Sequence, residues 1–323
     1  MFVNSSKFLF ASSMIVGVMV SICSNNWFMI WSGLEISLMS FIPLMSGFNM
    51  LSSESMLKYF LVQSLSSSIL LLGMIFTLLG LKDMTLTMVF GISMKLGLAP
   101  FHNWMLVMVD GLSYQCNFIL LSIMKISPLT LISYLNYNLT ILIIFSLIVG
   151  SIFGLNQSSI RKILSFSSIY NLSFMISSIS YNSVWLSYLF IYSLMLLCVI
   201  SFFSKFNINY INQVIMNEIS IMMKISIWIV LLSMAGMPPM VGFMMKLMIF
   251  EFLINHNEIM ILVLMIITSM LINFYYMRLM YLCLMFSSLE FKWKKNYIMN
   301  NTLIYLVVNV FLTTVLLMYK VML

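Results

Sequence analysis

The chain has 323 residues, of which 63% are hydrophobic and only 7% charged, with a net charge of +7 and a mean hydropathy of +1.10. That leaves too little polar sequence for a soluble domain, and the basic residues form no contiguous stripe that would hold nucleic acid. Its apolar runs do not alternate with polar residues, which favours spanning helices of about 20 residues over a transmembrane barrel.

The four cysteines, Cys23, Cys116, Cys198 and Cys283, are far apart and form no CxxC or Cys/His cluster. Zinc, iron–sulfur and haem attachment therefore have no support, and small buried hydrophobes are expected instead. Three alanines and two arginines against thirty-five methionines suggest an AT-rich gene of the animal mitochondrial kind.

Eleven spans are expected, at about 8–23, 26–48, 56–80, 84–104, 113–135, 138–155, 160–180, 184–204, 221–254, 259–286 and 302–322. The first follows Lys7, ends in no small-x-small cleavage site, and is expected to be retained. Within the second lies Glu35, in WSGLEISLMSF, with no basic residue one turn away on its own helix. Glu54 precedes Lys58 by four residues, the spacing of a helix-start ion pair. In the fourth span Lys95 stands one turn before Ala99-Pro100, and in the fifth Lys125 stands mid-span just before Pro128. Arg161 and Lys162 open the seventh and are expected to anchor it at the surface.

The ninth span is too long for one straight crossing and contains Gly236-Met237-Pro238-Pro239, followed by Lys246. Proline removes a backbone donor and clashes with the preceding turn, so this helix is expected to break within the membrane. Such breaks occur where backbone lines a watery cavity, and they mark ion sites in transporters. Two segments that pair a lysine with a helix-breaking proline, in the fourth and ninth spans, fit two inverted repeats of about five helices each. No soluble linker divides the chain, and residues 1–323 read as a single polytopic transmembrane domain.

A charged side chain at the centre of a spanning helix costs roughly 2.5–3.5 kcal/mol, so such residues are expected to carry function. Lys95, Lys125 and Lys246 are of this kind, and Glu35 is the carboxylate that could modulate Lys95. Lys125 is the candidate central carrier. Removing a lysine from water penalises its charged form, and a group that loads and unloads protons needs that balance. His102, in APFHNW, is a possible relay, and His256 reads more readily as an interfacial residue. Lys58 and Lys224 suit snorkelling to an interface.

If the spans alternate, one side receives nine basic residues (Lys7, Lys58, Arg161, Lys162, Lys205, Lys224, Lys292, Lys294 and Lys295) and the other only Lys82 and Lys320. That bias places the amino terminus on the positive side, the matrix in a mitochondrion, and the carboxyl terminus opposite. No glycine-rich nucleotide loop or metal-ligand cluster appears, so electron transfer would have to take place in another subunit.

The blocks WSGLEISLMSFIPL, SESMLKYFLVQSLSS, MKLGLAPFHNW, KISPL, GLNQSSIRKILSFSSI and SMAGMPPMVGFMMK closely resemble the NADH:ubiquinone oxidoreductase chain 2 family. These are antiporter-like, mitochondrially encoded subunits of respiratory complex I, and the chain looks like an arthropod version. The resemblance implies proton translocation across the inner mitochondrial membrane along Glu35, Lys95, Lys125 and Lys246. Glu35 and Lys95 would be the modulating pair, Lys125 the central relay and Lys246 the exit-side or linking lysine. It implies no cofactor in this chain, with NADH, FMN, iron–sulfur clusters and ubiquinone handled by other subunits. The implied partners are neighbouring antiporter-like and small membrane subunits and the lipid bilayer. In the seventh span Asn171 stands where the family usually has histidine, so water or Tyr170 would have to serve there. A free-standing cation/proton antiporter is the other reading of the same charges.

Overall fold

The computed structural model describes residues 5–47, 49–80, 85–135, 137–180, 182–216, 221–238 and 240–285. Outside the described residues lie the eleventh span, Lys82, Asp83, Glu218, Pro239, Glu290, Lys292, Lys294, Lys295 and Lys320. The described residues form fourteen helices and divide into two compact units at Ser146/Leu147. Six stretches are long and apolar enough to cross a membrane: Ser5–Cys23, Trp27–Met45, Met50–Leu78, Tyr114–Tyr134, Ser183–Lys205 and Ile259–Leu279.

The first unit contains α1 (Ser5–Cys23), α2 (Trp27–Met45), α3 (Met50–Leu78), α4 (Thr85–Leu96), α5 (Asn103–Val109), α6 (Tyr114–Leu121) and α7 (Ile123–Tyr134). One of its helices is inside-out relative to a soluble bundle. On α3, Ser52, Ser55, Gln63, Ser66 and Ser67 are buried while Leu57, Leu61, Leu65 and Leu72 face outward. Lipid is as apolar as leucine, so no hydrophobic gain drives leucine inward; close packing of small residues holds such helices together.

Helices α1 and α2 show how close that packing becomes. A Cβ at Gly17 would lie 2.7 Å from the backbone nitrogen of Ser37, and one at Gly33 would lie 2.7 Å from that of Ser21. Gly17 and Ser21 on one helix thus interlock with Gly33 and Ser37 on the other, each pair four residues apart, so that the two backbones touch. Replacing Gly33 by valine inserts side-chain atoms where another backbone already lies. It is expected to destabilise the fold by about 1–3 kcal/mol, read as a lower melting temperature of the detergent-solubilised protein.

The second unit contains α9 (Ile160–Ser177), α10 (Asn182–Lys205), α11 (Ile211–Met216), α12 (Ile221–Ala235), α13 (Val241–Asn255) and α14 (Ile259–Met285); α8 (Thr140–Leu155) carries the boundary between units. The Arg278 guanidinium on α14 donates to the carbonyls of Leu155 and Gln157, at 2.8 and 3.2 Å, meeting acceptors left over where α8 ends. Arg161 donates to Asn209 Oδ1 at 2.9 Å, which ties the start of α9 to the connection that follows α10.

Lys58 pairs with Glu54 at the start of α3, on the surface. Lys224 is not an interfacial snorkelling residue: in the first turn of α12 it is only 2% exposed. The approach of a helix start to the surface was expected to leave it outside, but neighbouring helices cover that turn. Cys116 and Cys198 are buried, whereas Cys23 is exposed because it closes α1 at its carboxyl end.

Candidate functional site: buried lysines at broken helices

In the first unit, α4 stops after twelve residues, short of a full span. Gly97 adopts φ +70°, its N–H bonds the Met94 carbonyl at 3.2 Å, and the Leu98 N–H bonds the Ser93 carbonyl at 3.1 Å. This pair of bonds is the Schellman closure, which needs a left-handed residue and therefore favours glycine. Pro100 follows, and helix resumes only at Asn103. The break leaves carbonyls without helical partners. Trp104 Nε1–H reaches back to the Met94 carbonyl at 3.1 Å, and the Gln63 amide on α3 donates to the Lys95 carbonyl at 3.3 Å. Lys95 is thereby fixed at the end of a half-helix with its side chain buried.

Lys125 also lies beside interruptions. Between α6 and α7, Ser122 has φ −121° and ψ −73°, outside helical values. Three residues after Lys125, Pro128 withholds the N–H that would have bonded one turn back. Lys95 and Lys125 line the same cavity of about 30 Å³, together with Ser37, Tyr59, Gln63 and Trp104. A water needs about 10–15 Å³ and two to four polar partners, so the space and its lining suit one or two waters.

Glu35 on α2 completes this group at a distance. Its carboxylate acts electrostatically on Lys95 and Tyr59, and among the described residues its Oε1 is sealed from solvent without a hydrogen-bond partner. No ion pair joins Glu35 to Lys95 among the described residues; they interact through space. His102 caps α5, with Nδ1 3.2 Å from the Pro100 carbonyl oxygen, and does not line the cavity.

In the second unit α12 ends as α4 does. Gly236 adopts φ +82°, its N–H bonds the Ser233 carbonyl at 3.1 Å, and the Met237 N–H bonds the Leu232 carbonyl at 3.2 Å. The break exposes the Ala235 carbonyl, and Lys246 Nζ donates to it. The same ammonium nitrogen lies 5.6 Å from the centre of the Tyr170 ring and 5.9 Å from that of Phe174, within range of a cation–π interaction. Lys246 is 3% exposed, which places it in the interior of its unit and not at a re-entrant surface. Glu251 is exposed on α13, and His256 is exposed and packs on the Phe252 ring at 4.3 Å.

Asn171 is buried on α9 and accepts a 2.7 Å hydrogen bond from the Tyr188 hydroxyl. Tyr170, the expected stand-in, donates instead to the Met265 carbonyl at 3.3 Å. Sequence reasoning missed Gln63, Trp104 and Tyr188. A lone glutamine within an otherwise apolar span was the available signal for Gln63.

Residues 24–272 match the family described as NADH:quinone oxidoreductase/Mrp antiporter, transmembrane. Among relatives, the NADH-ubiquinone oxidoreductase chain 2 of Anopheles gambiae is 40% identical over 273 residues, covering 80% of each chain. That of Locusta migratoria is 35% identical over 284 residues, covering 82% of this chain and 81% of its own. A chain of respiratory complex I from Thermus thermophilus superposes with a TM-score of 0.83 at 19% identity, over 98% of this chain and 79% of that one. The chain is thus an antiporter-type membrane protein. The chain belongs to the NADH-ubiquinone oxidoreductase chain 2 family.

Proposed function

We propose that this chain is the antiporter-like subunit of respiratory complex I in the mitochondrial inner membrane, and that it moves protons while NADH oxidation and ubiquinone reduction take place in other subunits. The observation that carries this reading is the shared cavity of Lys95 and Lys125. Two lysine side chains that border one water-sized space can pass a proton through water, from the one that is protonated to the one that is neutral, and Glu35 acts electrostatically on Lys95. Lys125 is the central relay, Lys246 the exit-side lysine, and His102 a relay of lesser weight.

Residues 1–323 form one polytopic transmembrane domain of eleven spans, with the amino terminus in the matrix and the carboxyl terminus in the intermembrane space. The positive bias of one set of loops supports that orientation, and it persists once Lys224 is set aside as buried. Two inverted repeats are supported by the twin half-helix stops at Gly97 and Gly236, one in each unit. Neighbouring antiporter-like and small membrane subunits are its protein partners.

Native membranes solubilised in mild detergent and resolved on a native gel test the assignment. The chain, located by mass spectrometry, is expected in a very large band that oxidises NADH. Migration as a small species without NADH oxidation would favour a free-standing cation/proton antiporter and remove the respiratory assignment.

A further inference from the structure

Two of the stretches long enough to cross a membrane end at a cation in the second unit. Ile259–Leu279 of α14 closes on Arg278, and Ser183–Lys205 of α10 closes on Lys205. Backbone contacts bring both to one end of the unit. The Ile160 N–H bonds the Asn209 carbonyl at 3.0 Å and the Ile211 N–H bonds the Ser158 carbonyl at 3.2 Å, so the segment after Lys205 lies against the start of α9. Arg278 reaches the carbonyls of Leu155 and Gln157, just before that start. Arg161 and Lys162 stand four and five residues after Gln157. The acidic residues described in this unit, Glu251 and Glu258, lie elsewhere. Glu258 precedes Arg278 by twenty residues, about 30 Å along α14, and Glu251 is in the last turns of α13, which leads into the Glu258 end.

A guanidinium carries five N–H donors. Arg278 gives two to carbonyls and, among the described residues, keeps three for an outside acceptor. Arg278 and Lys205 are both exposed. Toward the middle of the span, the outward face of α14 carries Ile267, Met270 and Phe274, each more than half exposed. Their helical spacing runs on to Arg278 and Tyr281. Ile152 and Phe153, at the adjoining end of α8, are exposed as well. Tyr210 and Tyr281 are exposed beside the cations, as tyrosines are where a spanning segment meets headgroups. An apolar stripe that ends in cations matches a molecule with an apolar tail and an anionic head. A soluble acidic segment would match the cations and leave the stripe uncovered.

We propose that this end of the second unit holds an anionic phospholipid, with its phosphodiester among Arg278, Arg161 and Lys162 and its acyl chains along α14 beside the end of α8. Basic pockets between spanning helices take such headgroups, and each cation near the membrane surface adds to the attraction. Arginine suits the phosphate because its planar fork can give parallel N–H bonds to two oxygens. Asn209 Oδ1 holds Arg161 at 2.9 Å, and the two carbonyls hold Arg278, so the cations are positioned before the lipid arrives. Like charges at this junction repel one another, and a phosphate between them offsets that repulsion. The lipid is thus a structural ligand of the α8–α14 seam. Its binding requires only that the unit lies in a membrane, and it is separate from proton movement.

The native assembly that contains this chain, purified in mild detergent and reconstituted into phosphatidylcholine vesicles, tests this. The vesicles carry a trace of photoactivatable phosphatidylglycerol or photoactivatable phosphatidylcholine, and peptide mass spectrometry locates the label after illumination. Phosphatidylglycerol is expected to label residues 152–153 and 267–274 several times more than phosphatidylcholine does. Arg278→Gln removes one cation and is expected to lower that labelling about fivefold. Equal labelling by the two lipids, or full labelling of Arg278→Gln, would overturn the headgroup site. Labelling by neither lipid would mean that a protein partner covers the stripe, and overturns it too. Loss of label with inorganic phosphate, but not with sodium chloride of equal ionic strength, would reassign the cations to a soluble anion. Arg278→Gln also uncaps α8. If it fails to assemble, Lys162→Gln decides: lowered labelling supports the site, and undiminished labelling overturns it.

Discussion

Replacing Lys125 by methionine is expected to abolish or uncouple proton movement through this subunit while the complex still assembles and oxidises NADH. Both halves of that expectation follow from the site. Methionine is unbranched and of similar length, so it fills the space between the Ser122 break and Pro128 without overpacking. Exchanging a buried charged group for an apolar one of similar volume is often neutral or stabilising, so the fold is not expected to suffer. What disappears is the titrating nitrogen on one side of the cavity shared with Lys95. Proton uptake by vesicles, measured per NADH oxidised, reads the effect, and an undiminished yield would sink the relay.

Gly236→Ala is expected to act on both fold and function. The left-handed conformation costs an L-residue about 1–2 kcal/mol relative to glycine. The added carbon would also lie 2.7 Å from Lys246 Nζ, so the ammonium must leave the Ala235 carbonyl or the turn must open. A lower melting temperature should accompany a lower proton yield. Gly80→Ala is the control: Gly80 also has a positive φ, at +84°, but a Cβ there meets nothing within 4 Å. It should therefore show the backbone cost without the loss of yield, and equal losses in the two variants would break the link to Lys246.

The charged residues were legible in the sequence because lipid makes them so. Lys95, Lys125 and Lys246 stand out in apolar runs since each is costly there, and the nearby prolines mark where the helices fail. Lys224 was misread for a related reason. A lysine at a helix start looks the same whether that turn reaches the interface or is covered by neighbours, and only packing distinguishes them. Gln63 and Trp104 act on carbonyls that have no vacancy until the helix breaks, so their roles depend on a break whose exact closure is set by Gly97.

The interlock of Gly17 and Gly33 bears on how quickly the Glu35 carboxylate can move. Glu35 is two residues from Gly33, on the helix whose backbone rests against that of α1. Sliding α2 along α1 would drive Ser21 and Ser37 into the opposing backbone, so the two helices behave as one stiff stator. Movement of the Glu35 carboxylate relative to α1 is left to torsions of its own side chain. Rotamer changes take picoseconds to nanoseconds, against microseconds to milliseconds for helix shifts. A turn of the Glu35 side chain is therefore faster than any sliding of the helix that carries it.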